Sequence, residues 1–151
     1  MTVRVERTVD LPAERERVWA FLVDPAKRAG AISVVARYEL DDADGRRATW
    51  YLDLPILLLG KAFAVETEDV ERDPPRYVKF TGRSRAMNVI GEHELEAIDD
   101  GESTRLTNRF TVEGRLPGVE AFFERNLNAE LENLRRAIEA DLGIEVDDGA
   151  E

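Results

Sequence analysis

Histidine occurs once in this 151-residue chain, at position 93. It is the side chain whose ordinary pKa lies nearest to neutral pH. Residues 87–98 alternate between apolar and charged types, which predicts a β-strand with one buried face. His93, Leu95 and Ala97 share the face opposite the intervening glutamates, so we expect His93 to point inward. There it either contacts a ligand or hydrogen-bonds within the core, and as a lone histidine it is a weak candidate for acid or base catalysis.

Three further polar side chains are candidates for contact with a ligand. Asn108 alternates with Leu106 and Phe110, and an inward amide of this kind must find a hydrogen-bond partner. Asn126 and Glu130 lie one turn apart at the edge of the apolar stripe of a predicted helix. They therefore reach either the mouth of a cavity or the solvent, and the sequence leaves both interpretations open.

Aromatic residues are spread over the predicted strands and the predicted helix. We expect them to form the core first, and some of them to line any ligand space inside it. Trp50 and Tyr51 are neighbours on one strand and face opposite sides, and Trp50 is the one we assign inward. The candidate aromatic ligand contacts are Trp50, Phe63, Phe80, Phe110 and Phe122.

The run Ile56-Leu57-Leu58-Leu59 breaks the alternation of the strands around it. Consecutive side chains of a strand point to opposite faces, so four adjacent apolar residues cannot all be buried on one side. Either the run forms the exposed rim of a cavity, as an entry lip, a dimer contact or a tip that touches a membrane, or it is a buried bend that closes one end. Both interpretations stay open.

No known catalytic or metal-binding pattern is present in the sequence. The chain has no cysteine, which excludes disulfides, thiolate metal sites and cysteine nucleophiles. It also lacks the HExxH, GxSxG and phosphate-loop patterns, and one histidine cannot supply a paired-histidine metal site. We therefore expect no metal and no cofactor, and we favour binding over catalysis.

The charge of the chain bears on its partners and its habitat. Asp and Glu outnumber Lys and Arg by 32 to 21, and the net charge of −11 argues against nucleic acid as a partner. Lysine occurs only at positions 27, 61 and 79, and a lysine-poor, carboxylate-rich chain is typical of a halophilic protein in a high-salt cytoplasm. The longest apolar run is too short to span a bilayer, so we expect a soluble, cytoplasmic protein.

Local patterns predict an order of elements that begins with a strand over residues 3–9, whose apolar face is interrupted by Arg7. A helix opens at Pro12, and a short second helix covers about 25–31. The strands that follow are predicted at residues 33–41, 46–53, 61–72, 76–82, 87–98 and 103–113.

A long amphipathic helix then begins at Pro117-Gly118 and ends at Gly143, which suits the position after a helix end. Residues 1–143 are predicted to form one domain, and residues 144–151 an acidic, flexible tail. An antiparallel sheet of six or seven strands has one apolar face to cover, and the long helix is its natural cover. The expected fold class is α+β, with a curved sheet wrapped around the C-terminal helix and two short helices after the first strand.

Two parts of the chain resemble a known superfamily. The N-terminal part comprises Val9-Asp-Leu-Pro-Ala-Glu14, Val18-Trp19 with Leu22, and Asp24-Pro25. The C-terminal part is the pattern of Asn126-Leu127, Leu131, Leu134-Arg135 and Ile138-Glu139 in the long helix. Over roughly residues 2–142 the chain resembles the START-like (SRPBCC) helix-grip proteins of the polyketide cyclase/dehydrase and lipid-transport type. Within that group it is most similar to the carbon-monoxide-dehydrogenase G-subunit-like proteins. Gly30-Ala31-Ile32-Ser33 stands where members often carry a Trp and a Pro, so the lip of the cavity is expected to differ.

The resemblance implies a cavity between sheet and helix that holds a small hydrophobic ligand, such as a lipid, isoprenoid, quinone or polyketide-like compound. One alternative is an aromatase/cyclase-type enzyme that uses the same cavity, with His93 as acid or base. Another is a protein-interaction domain with a filled core. A narrow apolar space favours the carrier, whereas His93 beside a second polar group in a roomy pocket favours the enzyme. We further expect a monomer or weak homodimer with at most transient membrane contact.

Overall fold

The computed structural model describes residues 2–53 and 63–143. Its elements are β1 (Thr2–Leu11), α1 (Arg15–Leu22), α2 (Pro25–Gly30), β2 (Val35–Leu40), β3 (Arg47–Leu52), β4 (Phe63–Asp73), β5 (Tyr77–Arg83), β6 (Met87–Ile98), β7 (Ser103–Gly114) and α3 (Val119–Leu142), with one turn of 3₁₀ helix at Asp99–Gly101. The predicted run 56–59 and the predicted tail 144–151 lie outside the described residues.

The strands form one antiparallel sheet of seven in the order β1-β7-β6-β5-β4-β3-β2. Strands that follow one another in the chain pair with one another, except that β1 crosses to pair with β7. The register shifts between Val35 and Arg37 and between Asp69 and Glu71, and such irregularities bend a strand. The sheet folds over α3, which confirms the α+β helix-grip class predicted from the sequence.

Residues at the helix ends explain where α1 and α2 begin. The side chain of Asp24 accepts hydrogen bonds from the backbone N–H groups of Ala26 and Lys27, at 3.0 and 3.1 Å, and Pro25 occupies the first turn. The first helix begins at Arg15, so the expected start at Pro12 was three residues early. The reason is that β1 continues to Leu11, whose carbonyl accepts a bond from the N–H of Ala13 in a tight turn.

The long helix α3 holds the sheet together by one apolar stripe. Its buried apolar residues are Val119, Phe123, Leu127, Leu131, Leu134 and Ile138, and each contributes roughly 1.5–3 kcal/mol through removal from water. The helix ends at Gly143, whose φ of 71° is left-handed and favours glycine. No helix in residues 2–53 or 63–143 is long and apolar enough to cross a membrane.

The core consists of two apolar clusters along α3. One includes Trp50, Phe80 and Phe110 under the first half of the helix, and the other includes Leu95 and Leu106 under the second half, together with α1. Ala97 was expected to extend this inward face, but it is exposed, since it lies near the end of β6 where the chain runs into the 3₁₀ turn.

Candidate ligand-binding site

A cavity of about 60 Å³ lies between α3 and the sheet, within the first apolar cluster. The surface that faces it is wholly apolar. Four aromatic rings line it, from β3, β5, β7 and α3, and they are Trp50, Phe80, Phe110 and Phe123. The remaining wall comes mainly from aliphatic side chains, namely Ile32, Val34, Val35, Leu52, Val65, Met87, Val89 and Leu127, with Thr67, Gly82 and Glu130 at its margin.

The ring of Phe80 is the centre of the aromatic wall. Its centroid lies 6.3 Å from that of Trp50 and 5.9 Å from that of Phe110, in tilted and edge-on arrangements that aromatic pairs prefer. The ring also lies over Gly91 of β6, where an added Cβ atom would come within 2.2 Å of a ring carbon. The absence of a side chain at Gly91 therefore positions Phe80.

A buried carboxylate closes one side of the cavity. Glu130 of α3 accepts hydrogen bonds from the backbone N–H and the hydroxyl of Ser33, at 2.9 and 2.5 Å. Ser33 lies between Ile32 and Val34, which both line the cavity, so this clasp between Ser33 and Glu130 joins the α2–β2 connection to α3. A further bond from the amide of Asn133 holds the Glu130 carboxylate in place.

His93 and Asn108 are both buried, as the alternation of their strands predicted, but neither lines the cavity. They face each other across β6 and β7, and Nδ1 of His93 lies 2.6 Å from Oδ1 of Asn108. The His93 ring packs against Phe80 and Phe110, which separate it from the cavity, with centroids 6.1 and 5.8 Å away. Burial, aided by the charge of Arg28, lowers the pKa of His93 to about 4, so the ring is neutral at neutral pH.

A buried ion cluster next to the cavity was missed by the sequence analysis. Arg28 of α2 donates two hydrogen bonds to the carboxylate of Asp69, at 2.8 and 3.2 Å, and Arg72 donates to the same carboxylate at 2.7 Å. The guanidinium of Arg28 also lies 5.4 Å from the centroid of Phe80. The signal was the alternation Phe63, Val65, Thr67, Asp69, because a carboxylate at an inward position of a strand must find a cation.

The other candidate residues lie around the cavity without lining it. Phe63 is buried in the same apolar cluster, and Phe122 packs edge-on against Phe123 at 5.1 Å. The amide of Asn126 donates to the backbone carbonyl of Phe122 at 2.8 Å and is only partly buried. The residues predicted to form the rim, 56–59, lie outside the described part of the chain. Within that part, no three His, Asp or Glu side chains are arranged to hold a metal ion.

Comparison with known proteins gives both a family and a set of similar folds. The family model for polyketide cyclase / dehydrase and lipid transport matches residues 2–139. A conserved protein from Geobacillus kaustophilus superposes with a TM-score of 0.74 at 18% identity, covering 93% of this chain and 95% of the other. No curated protein is similar enough in sequence to count as a relative.

Two further solved structures carry names that give a superfamily in one case and an activity in the other. A START superfamily protein from Mycobacterium smegmatis has a TM-score of 0.73 at 16% identity, covering 93% of this chain and 97% of the other. The Zhui aromatase/cyclase from Streptomyces sp. R1128 has a TM-score of 0.71 at 19% identity, covering 94% and 96%. At these identities the likeness establishes the fold and nothing finer.

Proposed function

This chain belongs to the polyketide cyclase/dehydrase and lipid transport family, and we propose that it binds a small hydrophobic molecule between α3 and the sheet. One observation carries the proposal: the space enclosed there has a wholly apolar surface with aromatic walls. Binding there is favoured by the removal of the apolar surface of a ligand from water, and the cavity surface has no hydrogen-bond partner for a strongly polar molecule. A lipid, isoprenoid, quinone or polyketide-like compound suits it.

The size of the cavity sets a condition on uptake. Its volume of about 60 Å³ is smaller than the ~150 Å³ cavity that accommodates benzene in another protein. Entry of a ring-sized molecule therefore requires the walls to separate. The clasp between Ser33 and Glu130 ties two wall elements together, so its release is the movement that we propose to admit the ligand.

Native mass spectrometry of the purified protein, prepared in high salt until the final step, tests the proposal. We expect a one-to-one apolar adduct, or a rise in the unfolding temperature with at least one of a panel of quinones, lipids and aromatic hydrocarbons. A bare mass together with no thermal shift from the panel would contradict binding. That result would instead favour the protein-interaction domain with a filled core.

An aromatase/cyclase activity is the second candidate, and a different observation favours it. Among the described residues that line the cavity, Glu130 is the titratable one; its carboxylate is bonded to Ser33 and lies outside the apolar surface that faces the cavity, so release of the clasp would bring it to a ligand. A positioned carboxyl group can transfer a proton to or from a bound carbonyl compound. In this alternative Glu130, rather than the set-back His93, is the acid or base.

Glu130→Gln separates the two candidates, because it keeps the size of the side chain and removes its proton exchange. A cyclase should convert a linear poly-β-carbonyl compound to a cyclised product, seen by mass spectrometry, and lose that activity in Glu130→Gln. A carrier should bind the compound unchanged in both forms. Cyclisation that survives in Glu130→Gln would remove Glu130 from the mechanism.

A further inference from the structure

A second cavity, separate from the apolar one, opens between β1 and α3 with a volume of about 280 Å³. Its walls come from β1 on one side and from α3 on the other, and Asn108 of β7 lies at its inner end. The side chains that matter to its chemistry are Arg7, Asn108, Leu131, Glu132 and Arg135. We call this space the β1–α3 cleft.

A row of polar residues crosses the concave face of the sheet at this cleft. Arg7 on β1 is directly opposite Asn108 on β7, and Asn108 is directly opposite His93 on β6. This row is the interruption of the apolar face seen at Arg7 in the sequence. It lies between the two apolar clusters, so the cleft reaches the core at a polar row of the sheet.

The inner end of the cleft presents the amide of a nearly buried asparagine. Asn108 is 3% exposed, and its Oδ1 atom is already taken by His93. Among the described residues the Asn108 side chain makes one hydrogen bond, that to His93, and its amide nitrogen is not sealed in the core as an unsatisfied atom. An acceptor atom brought by a ligand would satisfy this nitrogen.

The outer end of the cleft carries a cation that no carboxylate neutralises by direct contact. Arg7 donates to the neutral amide oxygen of Asn128 at 3.3 Å and forms no ion pair with any described residue. Arg135, by contrast, is fully engaged with the carboxylates of Glu132 and Glu139. Arg7 is therefore the guanidinium in the cleft that can donate to an incoming anion, which also meets the like charge of Glu132, a carboxylate that acts on Arg7 from the α3 wall.

The cleft and the apolar cavity lie next to each other along the same sheet–helix seam. Phe110 lines the cavity and Asn108 the cleft, two residues or about 7 Å apart along β7. Leu127 lines the cavity and Leu131 the cleft, one turn or about 6 Å apart along α3. One layer of side chains separates the two spaces, so a ligand that reaches both requires this layer to part, as the walls of the small cavity must do for any ring-sized ligand.

We propose that the β1–α3 cleft is a subsite for the carboxylate end of the ligand, whose apolar body occupies the cavity. This inference rests on the function proposed above. The amide nitrogen of Asn108 and the guanidinium of Arg7 donate to the carboxylate, and a tether of about 6–7 Å joins it to the apolar body. The ligand class is thus an apolar acid, and an amine of the same shape is disfavoured by the charge of Arg7.

Isothermal titration with three matched probes tests the subsite: 4-phenylbutyrate, 4-phenylbutan-1-ol and 4-phenylbutylamine. We expect the acid to bind roughly tenfold to a hundredfold more tightly than the alcohol, the range for one hydrogen bond to a charged group, and the amine to bind most weakly. Arg7→Met should remove the advantage of the acid. Arg4→Met, an equivalent change on the same strand outside the cleft, should leave that advantage intact.

Two outcomes would overturn the inference, and they are distinguishable. If the alcohol binds the wild type as tightly as the acid, or if Arg7→Met keeps the preference for the acid, the subsite is wrong while the apolar cavity still binds ligand. If no probe binds at all, and the native protein also carries no adduct, both the subsite and the proposed function fail.

Discussion

Nδ1 of His93 lies 2.6 Å from Oδ1 of Asn108, and this cross-strand pair divides the core into two apolar clusters. Because a carbonyl oxygen only accepts, the proton of the pair is on Nδ1, which fixes the tautomer of a neutral histidine. The pair is thus a structural contact that holds one ring nitrogen away from the cavity. Burial of the His93 ring, which lowers its pKa, makes the fold sensitive to acid.

Protonation of His93 should destabilise the folded state. Its folded pKa of about 4 lies below the unfolded value of about 6.5, so the unfolded chain binds the proton more tightly. The contribution of neutral His93 to the free energy of unfolding is fully present above pH 6.5. It falls as the pH drops through that value, and the loss amounts to roughly 3 kcal/mol near pH 4. Urea unfolding at a series of pH values measures this loss.

His93→Asn is the matched control for the acid sensitivity, since the asparagine Nδ2 takes the place of the histidine Nδ1 and can donate to Asn108 but does not titrate. Between pH 6.5 and 4 its unfolding free energy should fall by less than that of the wild type. The same pH dependence in both proteins would show that His93 does not carry the effect.

Release of the clasp between Ser33 and Glu130 should speed ligand entry. Ser33→Ala removes the 2.5 Å hydroxyl bond to the carboxylate, and loss of a hydrogen bond to a charged group costs about 1.5–3 kcal/mol. We expect a faster association rate for N-phenyl-1-naphthylamine in stopped-flow fluorescence. Ser103→Ala, at the start of β7, is the control and should leave the rate unchanged. An unaltered rate in Ser33→Ala would contradict the clasp as the gate.

A side chain at Gly91 should disturb the aromatic wall. The Cβ atom of an alanine would lie 2.2 Å from the Phe80 ring, so the ring must move, at a cost of about 1–3 kcal/mol. Gly30→Ala meets nothing within 4 Å and lies in a helix, so it should be neutral or slightly stabilising. Thermal unfolding compares the two variants, and equal effects would mean that Gly91 does not position Phe80.

The buried ion cluster should be strongly sensitive to loss of its anion. Asp69→Asn leaves Arg28 and Arg72 without a counter-charge, which costs about 3–5 kcal/mol for a buried pair. Asp10→Asn breaks the exposed pair with Arg105 and should change the unfolding free energy far less, because solvent screens that pair. Urea unfolding of both variants measures the two losses. A free energy of unfolding equal to that of the wild type in Asp69→Asn would show that the cluster does not stabilise the fold.

The fold was predictable because the relevant patterns are local. The strand alternation and the helical stripe from Val119 to Ile138 depend on neighbouring residues only, and the observed strands follow them closely. Glu130 was predicted at the helix edge, but its partner Ser33 lies 97 residues away and no periodicity connects the two.

The site was less predictable because it depends on which elements pack over which side chains. The inward orientation of His93 follows from alternation, yet its separation from the cavity depends on the rings of Phe80 and Phe110. The cavity volume depends on how those rings fit over Gly91, which is a matter of tertiary packing. The cleft at Arg7 likewise exists only once β1 crosses the sheet to pair with β7.

The affinity of N-phenyl-1-naphthylamine for the wild type, Val89→Phe and Ile90→Phe tests the proposed function most directly. Val89 lines the cavity, whereas Ile90 is its neighbour on the outer face of β6 and is 40% exposed. We predict that Val89→Phe weakens binding at least about tenfold, a loss of 1.4 kcal/mol, and that Ile90→Phe does not change it. Wild-type affinity in a folded Val89→Phe protein would contradict a ligand site between α3 and the sheet.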